Sequence, residues 1–298
     1  MSGNKTVSLV LGSGGARGLA HIGMIEQLTR SGLEIKSIAG SSMGALIGGI
    51  YAMDKLDVYT RWVTSLERRG VIRLLDWSFG RNGLIKGDRI ITVLKSLIGD
   101  ADIEDLPIRF TAVATDLDDE REVWFNHGSL FDAIRASIAV PTIFTPHPYR
   151  GKQFLDGSLI NPIPIAPTLK DETDLTIAVN LSGKPEKNGK SKSPAPENAP
   201  HQRATHQHLI AQFIDDGKLL LERQPDESLG VLDISVKSMN IMENALAQTQ
   251  LDAFSPDIVI EIPRDACNFY EFYRAKEMID VGRRSTEAAL SRYMALNA

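Results

Sequence analysis

The 298-residue chain has one cysteine, Cys267, so no disulfide can form within it, a usage that fits a reducing compartment. It has no excess of positive charge either. Lys and Arg number 33 against 38 Asp and Glu, a formal net charge of −5, which gives bulk electrostatics nothing with which to attract nucleic acid or an anionic bilayer. Long apolar runs are missing. Residues 45–53 are interrupted by Gly48 and Gly49 and fall far short of the roughly 20 residues that a membrane helix needs. Residues 7–11 are too short for the apolar centre of a secretory leader and run straight into glycines. With 43% hydrophobic and 24% charged residues, the composition is that of a soluble globular protein large enough to bury a sizeable core.

What is present is an alternation of short apolar runs with helical spacing. Residues 7–11 form a buried-strand pattern, and Leu19, Ile22, Ile25 and Leu28 follow at helical intervals. Residues 35–39 and 45–53 repeat that order, giving β-α-β-α. Residues 59–69 and 86–98 are predicted amphipathic helices. A strand is predicted over 109–115, paired with 121–125 across the acidic turn at 116–120. Residues 175–179, 231–235 and 258–262 are three further strand candidates. Strands alternating with helices imply an α/β fold with a largely parallel sheet covered on both faces, here as one domain spanning 1–298. Residues 182–203 break the pattern: four prolines, five basic residues and only Ala195 and Ala199 as apolar side chains cannot offset the entropy of ordering. A mobile insertion is expected there, with a basic tether to membrane or partner as the alternative.

Gly40-Ser41-Ser42-Met43-Gly44 lies between the second strand and the second helix. A G-x-S-x-G sequence in that setting is the pattern of a nucleophile elbow, with the central serine on a sharp turn. Ser42 is the candidate nucleophile and Ser41 the reserve; the alternative is a glycine-rich turn without chemistry. A serine hydroxyl needs a base and a stabiliser for the developing oxyanion. Gly12-Ser13-Gly14-Gly15-Ala16-Arg17-Gly18 lies between the first strand and first helix, where its amides, the helix N-terminus and Arg17 can hold an oxyanion or a phosphate. The loop resembles a dinucleotide fingerprint, but Arg17 stands in place of the last glycine. No Gly-Lys-Ser/Thr follows for a phosphate P-loop.

The base is harder to find. His201, His206 and His208 are in or beside the proline-rich segment, His21 is within the first helix, and His127 and His147 flank turns. A serine-acid-histidine order is therefore poorly served. Asp156, at the end of the apolar run Phe154-Leu155 and followed by Gly157-Ser158, is the acidic candidate, with Asp116 the runner-up.

Together, Gly14-Gly15-Ala16-Arg17-Gly18, the elbow at 40–44 and Asp156-Gly157 resemble the patatin-like phospholipases in order and spacing. The resemblance is close to the bacterial branch related to the neuropathy-target-esterase catalytic domain, extends over residues 9–51, 114–117, 136–141, 144–146, 156–158 and Asn161-Pro162, and more loosely covers 238–263. It implies a three-layer α/β/α fold and a lipid acyl hydrolase that needs neither metal nor cofactor. Ser42 would be the nucleophile, Asp156 its base, Gly14 and Gly15 the oxyanion donors, and Arg17 a support for their loop. The substrate implied is a lipid ester met at a membrane or micelle surface by a cytoplasmic protein, with no nucleic-acid partner. A transacylase or thioesterase with the same site, or a non-enzymatic membrane-recruitment module, is the alternative. Ser13 stands where many members have glycine, and Ser158 where glycine or alanine is usual.

Overall fold

A computed structural model describes residues 5–76, 85–185 and 231–297. Its contacts divide the chain into two units: Met1–Lys187 with Glu243–Ala298, and Asn188–Met242. The described part of the second unit, 231–242, is helical.

In the first unit the elements are β1 (Thr6–Leu11), α1 (Ala20–Arg30), β2 (Glu34–Ser41), α2 (Met43–Ala52), α3 (Leu56–Thr64), α4 (Arg68–Arg73), α5 (Asp88–Ile98), β3 (Arg109–Asp116), β4 (Arg121–Phe125), α6 (Leu130–Ser137), β5 (His147–Tyr149), β6 (Lys152–Asp156) and β7 (Leu175–Gly183). The helix α7 (Val231–Phe254) begins in the second unit, and β8 (Ile258–Pro263) and α8 (Ala275–Leu296) complete the first. The sheet runs β5-β6-β3-β2-β1-β7-β8, with β4 also on β3. Strands β3, β2, β1, β7 and β8 pair in parallel, as expected from the sequence.

Strand alternation divides the core between the two faces. Val7, Leu9 and Leu11 of β1, with Ile177, Val179 and Leu181 of β7, pack into the larger cluster with α1, α2, α6 and α8. Val10 and its register partner Ala178 point the other way, onto Ile163, Ile165, Ala247 and Leu251. Helices thus cover both faces in a three-layer α/β/α arrangement. Among the described residues no helix is long and apolar enough to cross a membrane.

Three expectations need correction. Residues 231–235 are helical and open α7: β-branched residues favour strands only weakly, and here a 24-residue helix overrides the preference. The helix expected over 59–69 is two, α3 and α4. The hydroxyls of Thr64 and Ser65 turn back onto the carbonyls of Thr60 and Trp62 at 2.6 and 2.7 Å, and such local bonds compete with helix propagation. The insertion expected over 182–203 starts too early, because Ser182 and Gly183 close β7; residues 186–203 lie outside those described.

The placement of the site follows from β3, whose two edges carry three partners. Ala112 and Val113 pair with β2 and β4, while Ala114, Thr115 and Asp116 pair with β4 and β6. A strand has only two edges, so β4 holds one throughout and β6 continues the other where β2 leaves it. Ser41 lies opposite Val113 and Asp156 opposite Ala114. The carboxyl ends of β2 and β6 therefore meet end to end, and two residues far apart in sequence become neighbours.

Candidate active site

Ser42 sits between β2 and α2 with φ 55° and ψ −122°, a region that side chains with a Cβ rarely occupy and that costs of order 1–3 kcal/mol. The surroundings hold it there. Its amide donates to Ser137 Oγ at 2.9 Å, and that hydroxyl donates to Val113 O at 2.6 Å. The turn also needs both of its glycines. A Cβ on Gly44 would stand 1.9 Å from Leu11 O, and one on Gly40 2.4 Å from the Gly44 carbonyl carbon. Both obstacles are backbone, which cannot swing aside. Gly44→Ala should cost more than about 3 kcal/mol in urea unfolding, against about 1 kcal/mol or less for Gly70→Ala, where a Cβ meets only the Leu66 side chain at 3.4 Å. Equal losses would show that the elbow is not this tight.

Asp156 is fully buried. Its Oδ1 accepts from the Ser158 amide at 2.8 Å, while Oδ2 has no partner. Burial pushes its pKa up to about 7; the Ser158 amide opposes the rise, the charge of Glu243 adds to it, and the Ser42 hydroxyl opposes it. Ser42 is thus close enough to influence the carboxylate, yet its hydroxyl makes no well-formed hydrogen bond to the free oxygen. Such pairs commonly tighten only when substrate is bound. Gly157 allows the close approach: a Cβ there would be 2.2 Å from Val113 O and 2.7 Å from Ser41 Oγ. Ser41 is fully buried with an unpartnered hydroxyl, which leaves it no access to solvent.

The glycine loop ends β1. Amides of Gly12, Ser13 and Ala16 donate to Val179 O (3.2 Å), Pro162 O (3.0 Å) and Phe269 O (2.9 Å). Among the described residues those of Gly14 and Gly15 have no acceptor. Gly15 has φ 56°, and a Cβ there would press into the Phe269 ring at 2.5 Å. Arg17 is buried and donates from Nε to Leu181 O at 2.9 Å and from Nη1 to Cys267 O at 3.4 Å, so it braces the loop rather than facing solvent.

The other acid and the histidines are engaged elsewhere. Asp116 accepts from Lys152 Nζ at 2.6 Å and from the amides of Asp118 and Asp119. Burial raises its pKa, but Lys152 and these amides outweigh it and hold the group below the usual carboxylate range. His21 is buried beneath the glycine loop with Nε2 2.8 Å from Gly12 O; burial pushes its pKa down to about 4, so it is neutral and donates to that carbonyl. His127 bonds Asn126, and His147 bonds Asp132. His201, His206 and His208 lie outside the described residues.

A family model described as patatin-like phospholipase matches residues 9–169. The chain belongs to that family. An uncharacterized NTE family protein of Mycobacterium tuberculosis is 35% identical over 98% of this chain and 93% of its own length. Lysophospholipase nte1 of Emericella nidulans is 30% identical over 59% of this chain, a stretch that makes up 12% of that protein. The solved structure of VipD from Legionella pneumophila aligns with a TM-score of 0.43 and 14% identity, over 96% of this chain and 67% of that one.

Two residues of this patatin-like site escaped the sequence reading. Ser137 was noted only within a motif, and nothing in its local pattern shows that its hydroxyl bonds the elbow. Glu243 had a signal. It lies four and eight residues before Ala247 and Leu251, which share one buried helix face, and a carboxylate on such a face calls for a partner.

Proposed function

We propose that the protein is a lipid acyl hydrolase, acting on phospholipid or lysophospholipid esters through a Ser42–Asp156 dyad. The observation that carries this is the free, buried Oδ2 of Asp156, on a carboxyl whose pKa is raised to about 7, beside a serine held on a strained elbow. An exposed aspartate, with a pKa of about 3.9, is too weak a base for this work. One near neutrality takes a proton more readily and is still about half ionised at pH 7 and largely so at pH 8. Membership of the patatin-like family and the likeness to a protein named lysophospholipase support the lipid substrate.

In this mechanism Asp156 Oδ2 accepts the Ser42 proton while Oγ attacks the ester carbonyl. The tetrahedral oxyanion takes the two unclaimed amides of Gly14 and Gly15. Collapse of the tetrahedral intermediate breaks the ester C–O bond, and Asp156 gives its proton to the departing alcohol. Water, deprotonated by Asp156, then attacks the acyl-enzyme. Fatty acid leaves, and the proton returns to Ser42.

Incubation with a panel of phospholipids and lysophospholipids of varied chain length should release fatty acid. A fluorophosphonate probe should label Ser42. Folded protein that neither labels nor releases fatty acid from any member of the panel would reject the hydrolase reading, and acyl transfer to an added alcohol without release to water would point to a transacylase.

A further inference from the structure

A second carboxyl adjoins the dyad, and the mechanism above gives it no task. The helix face that lays Ala247 and Leu251 against the sheet also bears Glu243, one turn nearer the end where β2 and β6 meet. Ser158 Oγ donates to Glu243 Oε1 at 2.7 Å, and the amide of the same Ser158 donates to Asp156 Oδ1 at 2.8 Å. On its other side Glu243 lies near the Ser13 hydroxyl and the Arg17 guanidinium of the glycine loop. Two loops distant in sequence thus converge on one carboxylate, one through the Ser158 hydroxyl and the other with Ser13 and Arg17 beside it.

We propose that Glu243 is a positioning residue for the dyad: through Ser158 it fixes the orientation of Asp156, and through Ser13 it fixes the oxyanion loop, so that base and oxyanion donors keep one geometry. This rests on the Ser42–Asp156 reading. A tie between these loops matters because a catalytic group displaced by about 1 Å can lose on the order of a hundredfold in rate. Charge adds a second effect. Glu243 faces Arg17 from the glycine loop and Asp156 from β6; burial raises its pKa, while Ser158, Arg17 and Ser13 favour its ionised form, and in that form its charge disfavours ionisation of Asp156 and so strengthens that group as a base.

Glu243→Gln keeps an acceptor for Ser158 and removes the charge, whereas Glu243→Ala removes both. With a short-chain nitrophenyl ester as probe, Glu243→Ala should lower kcat about tenfold or more with KM within about twofold, and Glu243→Gln should recover most of that loss. In Glu243→Gln the acid limb of the kcat/KM profile should move down by about half a pH unit or more. The carbon-13 titration of the Asp156 carboxyl, assigned by its disappearance in Asp156→Asn, should move with it. A wild-type Asp156 midpoint in Glu243→Gln together with wild-type kcat in Glu243→Ala would overturn the proposal. If Glu243→Ala does not fold, Ser158→Gly removes the same link and should show the same loss of kcat, and a wild-type kcat there would count equally against it. The carbon-13 midpoint is read without turnover. A wild type lacking Ser42-dependent hydrolysis would therefore sink the hydrolase reading while the coupling of Glu243 to Asp156 is still decided.

Discussion

Ser42→Ala should reduce ester hydrolysis by about 10⁴- to 10⁶-fold, the scale on which serine hydrolases respond to loss of the nucleophile. KM should change little, because the Oγ forms its bond in the transition state rather than in substrate binding. The fold should survive. The strained φ of 55° is a property of any residue with a Cβ at this position, and the bond to Ser137 Oγ comes from the backbone amide. Ser41→Ala is the informative companion, since it removes a buried hydroxyl that has no partner and should leave kcat within about tenfold. Circular dichroism and the unfolding midpoint check the fold, and steady-state release of fatty acid checks the rate. Near-parental turnover by folded Ser42→Ala would end the proposal, and a collapse in Ser41→Ala alone would move the nucleophile one residue back.

Much of this site was legible in the sequence because its parts are local. The apolar run at 7–11 and the helical spacing that follows it are each encoded within a few residues, as is the glycine requirement of the elbow. A Cβ at Gly44 meets Leu11 O from the preceding strand of the same β-α-β unit. The union of Ser42 with Asp156 is not local. It depends on β6 entering the edge of β3 that β2 has vacated, and an alternating pattern of apolar residues records which face a residue takes without recording which edge its strand joins. The family resemblance supplied that pairing as an expectation; the register of β3 supplies its physical reason.

The same distinction explains why α7 was misjudged. Val231, Leu232 and Ile234 make residues 231–235 consistent with a short strand, and only the longer stretch through Phe254 shows the helical period. Had that period been recognised, Glu243 would have stood out as the carboxylate on the face of Ala247 and Leu251. Its partners would have remained hidden, since Ser13 and Ser158 lie on loops distant in sequence, and their hydroxyls gain meaning only when three elements converge at one end of the sheet.

Asp156→Asn should lower kcat by about 10²- to 10⁴-fold, the usual contribution of a positioned general base, and should stabilise the protein at neutral pH. The two effects share a cause. Burial raises the pKa of Asp156 in the folded protein to about 7, against about 3.9 in the unfolded chain, so between these values the folded state binds more protons than the unfolded one. Stability therefore falls as pH rises from about 4 to about 7 and is level above that. Asparagine does not titrate. The variant should gain little at pH 4, progressively more up to pH 7, and on the order of 1–4 kcal/mol beyond it, read as the difference in urea unfolding between variant and wild type across that range. Wild-type kcat should rise over the same interval, as Asp156 loses the proton that prevents it from acting as a base. A gap between the two proteins that is flat from pH 4 to 8 would mean that Asp156 is already ionised throughout, and the free Oδ2 would then belong to an ordinary buried carboxylate rather than to a base made strong by the cost of burying its charge.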